Sequence, residues 1–339
     1  KSGKFNFLNN TYLNQYFNVS FKDETIINMV GGSLNGSINI DKTNFIKVNL
    51  NNTRFDFDGI KLAQSNLQSD INNLSLRFIG KNIRTKDNLI QDVDFYLLKN
   101  KNILTIDSIN INSSRLKIGP NKDNQKAYIS YNSNLDLFKI KGKYRLDNSS
   151  GYFNNLSKYR FNFFETDLNI QWNSLNYLLN LEGKLDFLIK DLNLDTEIPE
   201  STFLRALRIL NLNAIVEGLD DASDDIVNIN RASGRIIVGK KRAFIEYPIV
   251  FETDEASLKW VGEVLKNQKG ELDNLNLDLS LRLKISENIP WYAAIFGGIP
   301  AIAGGMVFEN IFEDTIEDIS TINFKVQGTI DEPKIKRLN

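Results

Sequence analysis

Hydrophobic residues recur at every second position through most of this chain, and that period dictates its fold class. Successive side chains of a β-strand point to opposite faces, so strict alternation makes one face apolar and the other polar. From Gly36 to Leu50, Ile38, Ile40, Ile46, Val48 and Leu50 share one parity, with Ser37, Asn39, Asp41, Lys47 and Asn49 on the other. Phe55 and Phe57 alternate with Arg54, Asp56 and Asp58; Ile109 and Ile111 alternate with Asn110 and Asn112. The same holds for Ile140, Tyr144 and Leu146, and for Leu168, Ile170 and Trp172. Two runs are longest: Leu175, Tyr177, Leu179, Leu181, Leu185, Phe187 and Ile189, then Leu275, Leu277, Leu279, Leu281, Leu283 and Ile285. The first is interrupted only at Glu182-Gly183, which permits either a hairpin turn or a bend in one strand of about 50 Å, at ~3.3 Å per residue.

No helical pattern of weight precedes Pro199, which argues against a parallel α/β fold. Residues 1–200 therefore read as a repeated-strand segment, mainly β. Polar turn material such as Asn121-Lys-Asp-Asn124 and Asp147-Asn-Ser-Ser-Gly151 connects the strands. The pattern changes in 201–339. After Pro199, Ser201 is a candidate helix N-cap, and Leu204, Leu207, Ile209 and Leu210 form a rough helical face. Strands return at Gly234–Val238 and Ala243–Phe251.

Ile289 to Phe308 carries no charge, about the 20 residues that a membrane span needs. Pro300 interrupts it, and the pairs Gly297-Gly298 and Gly304-Gly305 flank the Ile299-Pro300 step, which predicts two short apolar helices with a bend. The next face, Phe308, Ile311, Phe312, Thr315, Ile316 and Ile319, has helical spacing, and its polar side is acidic: Glu309, Glu313, Asp314, Glu317 and Asp318. A helix lying on an anionic membrane shows Lys and Arg there instead. We expect a helical cap over 289–319, its apolar bend reaching lipid or covering the sheet, and a closing strand over 321–331 holding Ile322, Phe324, Val326 and Ile330.

The chemistry is sparse. The 339 residues include no Cys and no His, which excludes disulfides, imidazole metal sites and Cys/His or Ser/His nucleophiles. A formal net charge of −1 leaves no basic nucleic-acid footprint. Ser114 and Lys117 have Ser-x-x-Lys spacing, but a helix is needed for that pair to act and the sequence here is strand-like. Asp220, Asp221, Asp224 and Asp225 lack the spacing of a calcium loop. The glycine pairs are followed by no Lys-Ser/Thr, so they make no phosphate loop. We expect no enzyme, no metal and no cofactor. The chain begins at Lys1 without an apolar signal segment and reads as a piece of a longer one.

From Ser201 onward the sequence resembles the C-terminal region of AsmA-like envelope proteins, closest to the YhdP branch. The resemblance rests on Phe203-Leu-Arg-Ala-Leu-Arg-Ile-Leu-Asn-Leu-Asn213, on Gly218-Leu-Asp-Asp221, on the strand–Gly234–strand pattern of Ile226 to Val238, on the Pro- and Gly-punctuated segment from Ile289-Pro290 to Gly305, and on Val326-Gln-Gly328-Thr-Ile-Asp-Glu-Pro333-Lys-Ile335. It implies a long, curved antiparallel β-sheet folded into an apolar groove, taco- or solenoid-like, with a few short helices near the C-terminal end. It further implies a bridge for phospholipids across the periplasm of a Gram-negative bacterium, tethered to the inner membrane by upstream sequence, with this end at the outer membrane. On that reading the two long alternating runs, Leu175 to Phe187 and Leu275 to Ile285, line the groove, and Trp291, Tyr292, Ile295 and Phe296 contact the membrane. Burying a 16-carbon chain gains on the order of 12 kcal/mol at ~0.8 kcal/mol per CH₂, enough to hold a lipid without a polar pocket. Three alternatives stay open: a membrane-embedded β-barrel, a TamB-like factor for outer-membrane protein assembly, and a dry β-sandwich or solenoid that binds protein partners.

Overall fold

A computed structural model describes residues 3–7, 10–54, 73–85, 89–148, 159–173, 179–194, 227–252, 256–283, 321–330 and 332–338. The fold is mainly β, twenty strands of one long sheet, with no helix among the described residues. The helices expected from Pro199 to Leu210 and over 289–319 lie outside the described residues, as do Phe55, Phe57 and the acidic group Asp220–Asp225.

The strands fall in two compact units, residues 1–147 with 167–169, and residues 148–166 with 170–339. In the first, β1 (Gly3–Phe7), β2 (Asn10–Phe21), β3 (Thr25–Val30), β4 (Gly36–Ile40) and β5 (Ile46–Asn51) pair antiparallel in sequence order. The ladder continues through β6 (Asn73–Arg84), β7 (Leu89–Asn100) and β8 (Ile103–Ser113). Short β9 (Leu116–Gly119) and β10 (Ala127–Asn132) both lie between β8 and β11 (Leu137–Asp147). The expected antiparallel sheet needs one correction: β5 and β6 pair in parallel, Ile46 opposite Leu76 through Asn51 opposite Lys81. A parallel pair cannot be closed by a tight turn, and residues 52–72 supply the long connection it needs.

The second unit holds β12 (Tyr159–Arg160), β13 (Phe163–Asn173) apart from residues 167–169, β14 (Leu179–Leu194), β15 (Val227–Val238), β16 (Arg242–Glu252), β17 (Ala256–Lys266), β18 (Leu272–Leu283), β19 (Thr321–Thr329) and β20 (Pro333–Leu338). From β14 to β20 each strand pairs antiparallel with the next. No turn forms at Glu182-Gly183: β14 runs unbroken through Gly183, whose φ of 129° only glycine adopts freely. β20 follows the expected closing strand and pairs with no described strand but β19.

Three strands contain a residue near φ +50° where the apolar parity slips by one. Asn82 (φ 51°) separates Phe78 and Gly80 from Ile83; Ser108 (φ 54°) separates Leu104 and Ile106 from Ile109 and Ile111; Asp191 (φ 52°) separates Phe187 and Ile189 from Leu192. At Ser108 the pairing shows the extra residue: Asp94 opposes Asn110 while Tyr96 opposes Asp107. An inserted residue would turn the rest of the strand inside out. A residue placed in the left-handed region absorbs it, so both halves keep their apolar side chains on one face. Short polar side chains tolerate this region best, which is why Asn, Ser and Asp stand there.

Candidate functional site

The feature with functional content is the apolar side of the sheet. In the first unit, cross-strand partners align into rows. One row runs Phe21, Thr25, Ile40, Ile46, Leu76, Leu97, Ile106, Ile129 and Ile140 across nine strands. A second runs Val19, Ile27, Ile38, Val48, Phe78 and Phe95, with the two phenyl rings stacked at 5.3 Å. A third runs Met29, Gly36, Leu50, Gly80, Val93, Ile111, Ile118 and Tyr144. At eight strand spacings of ~4.8 Å the first row is about 38 Å long. One leaflet of a bilayer core is roughly 15 Å, so the row exceeds two acyl tails laid end to end.

Exposure grades across these rows. Met29, Leu50 and Val93 of the third row are buried, packed with Leu34 and Ile83. From Thr25 to Ile140 every member of the first row is half-buried, and Phe21 at its β2 end is 77 % exposed. A continuous apolar strip is thus left with its outer surface open among the described residues.

In the second unit the equivalent face is closed. Leu258, Trp260, Leu275, Leu277, Leu279, Leu281, Phe324 and Val326 belong to one buried cluster, with Phe187 and Ile189 packed against it. The register places Trp260 opposite Leu279 and Leu279 opposite Phe324. Of the residues expected to line a groove, Leu275, Leu277, Leu279 and Leu281 are 5, 3, 3 and 6 % exposed, core side chains of this unit. Leu181, Leu185 and Phe187 are half-buried on β14. Leu179 and Leu283 lie in β14 and β18, while Leu175, Tyr177, Ile285, Trp291, Tyr292, Ile295 and Phe296 lie outside the described residues. The structure therefore brings the β14 and β18 runs to one cluster through Phe187. The open strip of the first unit was legible as alternation from Ile38 to Leu50, but nothing in that alternation distinguished an open face from a covered one.

One contact shows how the second unit curves. Three strand spacings separate β14 from β17, about 14 Å in a flat ladder. Yet Lys266 Nζ on β17 donates to the Leu181 carbonyl on β14 at 2.6 Å, and Gly270 in the β17–β18 turn lies against Asn180. The ladder from β14 to β17 is curled at that end. Burial holds the Lys266 ammonium below the usual lysine range, opposed by the nearby Glu182 carboxylate.

The opposite face carries the charge. Arg77 makes a two-pronged bond to Asp94 (3.1 and 2.8 Å) and lies over the Tyr96 ring. Arg235 bridges Asp186 and Glu246 and lies 4.2 Å from the Tyr247 ring centroid. The Asp186 carboxylate beside it keeps that guanidinium firmly protonated. Lys325 pairs with Asp278 at 2.9 Å. The more exposed of these pairs, Arg77–Asp94 and Lys325–Asp278, stabilise weakly. On the apolar side, Tyr144 donates to the Lys141 carbonyl at 3.2 Å, and burial pushes its phenol up to about 12.

Ser114 lies in the turn before β9 and Lys117 within that strand, both exposed. No group of three or more metal-ligating carboxylates occurs among the described residues, and no described helix is long and apolar enough to cross a membrane. No known family, curated protein or solved structure matches the chain.

Proposed function

We propose that this chain holds acyl lipids against the apolar side of its sheet and takes part in moving phospholipids between the membranes of a bacterial envelope. The observation that carries the reading is the open first-unit row from Phe21 to Ile140. An apolar sheet face must be covered. A face this long, half-exposed along its length, matches stacked hydrocarbon tails better than a compact pocket ligand. Successive positions are chemically alike, Ile or Leu from Ile40 to Ile140, so a tail gains nearly equal free energy at each and can slide. The curl between β14 and β17 supports a groove form for the sheet. The C-terminal resemblance to AsmA-like proteins supports the envelope setting, with phospholipid as cargo and the outer membrane as the neighbour of the 291–296 segment.

The test is mass spectrometry of lipid extracted from the chain purified without detergent, with photo-crosslinkers at Leu97 and Leu279. Phospholipid captured at Leu97 is expected. No lipid in the extract and only protein adducts at Leu97 would refute the reading. A demand for detergent to stay in solution would favour the membrane barrel instead.

A second reading has its own support in the buried cluster around Leu279: there the face is dry, as in a sandwich or solenoid that meets protein partners, TamB-like factors included. It predicts protein adducts alone at Leu279, whatever Leu97 captures.

A further inference from the structure

The apolar face of the first unit does not end at its open row. Farther toward the hairpin turns, Leu104 opposes Tyr131 and Tyr131 opposes Phe138, the two rings stacked at 4.4 Å. Each stands two residues along its strand from Ile106, Ile129 or Ile140, so all six share a face. Leu104 and the neighbouring Ile103 are exposed, and in the β10–β11 turn Leu135 is 60 % exposed.

Polar groups build that turn. Asn132 Oδ1 accepts from the Asn134 and Leu135 amides at 3.0 and 3.3 Å. The Ser133 amide and hydroxyl both donate to the Asn102 carbonyl in the β7–β8 turn, at 2.9 and 3.3 Å, which ties the two tips together. The turn draws on the Leu135 amide, which any residue but proline would supply, and makes no such use of its side chain. The tip thus holds a leucine in water where Asn or Ser would serve the backbone equally well.

The surrounding charge indicates what covers it. The hairpin ends, residues 99–104 and 131–139, carry Lys99, Lys101 and Lys139 against one carboxylate, Asp136, which accepts from the Tyr131 hydroxyl at 3.2 Å. Aliphatic side chains ringed by lysines match an anionic lipid surface. A protein partner fits less well, because three exposed aliphatic side chains fall short of the ~800 Å² that each side of a stable complex buries. A bilayer takes up side chains singly, and one leucine moved into it raises partition about tenfold.

We propose that the joined tips of β7–β8 and β10–β11 dock on an anionic phospholipid bilayer, with Ile103, Leu104 and Leu135 entering it, and that acyl tails pass from there onto the open row. The second half of this proposal rests on the lipid reading above; the docking does not.

The test uses the whole chain and vesicles of phosphatidylcholine with or without phosphatidylglycerol. The chain has no cysteine, so Asn134→Cys carrying an environment-sensitive NBD group reports this turn alone, with Asp123→Cys at the opposite end of the strands as control. Vesicles should brighten and blue-shift the probe at 134, more strongly with phosphatidylglycerol, and leave that at 123 unchanged. Leu135→Asn, at an exposed position, should keep the circular dichroism spectrum and raise the lipid concentration for half-binding about tenfold. Lys101→Gln and Lys139→Gln should each reduce the preference for phosphatidylglycerol about fivefold. A probe at 134 that neither vesicle moves, or that responds equally after Leu135→Asn, overturns the docking; phospholipid still captured at Leu97 would then leave the lipid reading standing. A blue shift that follows protein concentration without vesicles assigns the tip to a second copy and also overturns it. Docking at 134 with no lipid captured at Leu97 overturns the passage of tails and leaves a membrane anchor.

Discussion

Substitution at Asp191 separates the backbone requirement of a parity slip from the side chain that happens to fill it. Asp191 sits at φ 52° within β14, and its carboxylate accepts a hydrogen bond from Asn162 Nδ2 at 3.1 Å. Asp191→Gly and Asp191→Val both remove that bond, so the difference between them reports the backbone alone. Valine in the left-handed region costs about 1–2 kcal/mol, which glycine avoids. Glycine gives back about 0.5–1 kcal/mol through its freer unfolded chain. The balance makes Asp191→Gly more stable than Asp191→Val by roughly 1 kcal/mol. At Lys184, an exposed β14 position with no positive φ, strand preference runs the other way, and valine should exceed glycine by about 1 kcal/mol. The two sites thus differ by roughly 2 kcal/mol, with opposite sign. Trp172, Trp260 and Trp291 all belong to the second unit, so tryptophan emission during urea unfolding follows that unit selectively. Valine matching or exceeding glycine at 191 would show that β14 does not need this backbone state, and the account of how Phe187 and Leu192 share a face would fall.

Three further outcomes follow from the same geometry. Leu279→Ala should cost about 2–5 kcal/mol by tryptophan-detected urea unfolding, while Leu97→Ala on the open row should cost less than half as much by circular dichroism; equal costs would contradict the difference in cover between the two faces. Gly262→Ala should unfold or severely weaken the second unit, because its φ is 120° and a Cβ would stand 2.4 Å from the Asn276 carbonyl, whereas Gly119→Ala, with open space around it, should be near neutral. Tyr144 has a folded pKa of about 12 against an ordinary 10.0, so the folded state keeps its proton where the unfolded state sheds it. Its contribution is complete below pH 10.0 and is lost as pH climbs from 10.0 to about 12; Tyr144→Phe should flatten that part of the stability–pH curve, and an unchanged slope would refute the burial of its hydroxyl.

Period-two alternation made the β character and several strands legible, since a one-sided strand writes its burial directly into its spelling. The runs Ile38–Leu50, Leu168–Trp172 and Leu275–Leu283 became β4 with β5, β13 and β18. Pairing direction was not legible: Val48 and Phe78 meet in parallel, and no residue in either strand records that choice. The parity slip between Ile189 and Leu192 was visible as a break in the pattern, but its cause, one left-handed aspartate, is a backbone conformation that composition does not encode. Cover was the least legible property. Leu97 and Leu279 are the same residue in the same kind of strand, and only the three-dimensional surroundings leave one half-exposed and the other buried.

The last strand of the second unit bears on how copies of this chain behave in concentrated solution. A ladder that stops with unsatisfied amides invites another molecule to extend it. Here that margin starts with Pro333, which has no amide to offer, and displays Lys334 and Lys336 to solvent. Two such margins brought together would oppose ammonium to ammonium. Rim-to-rim pairing of two copies is therefore discouraged electrostatically, and high salt is the condition under which that protection would fail first.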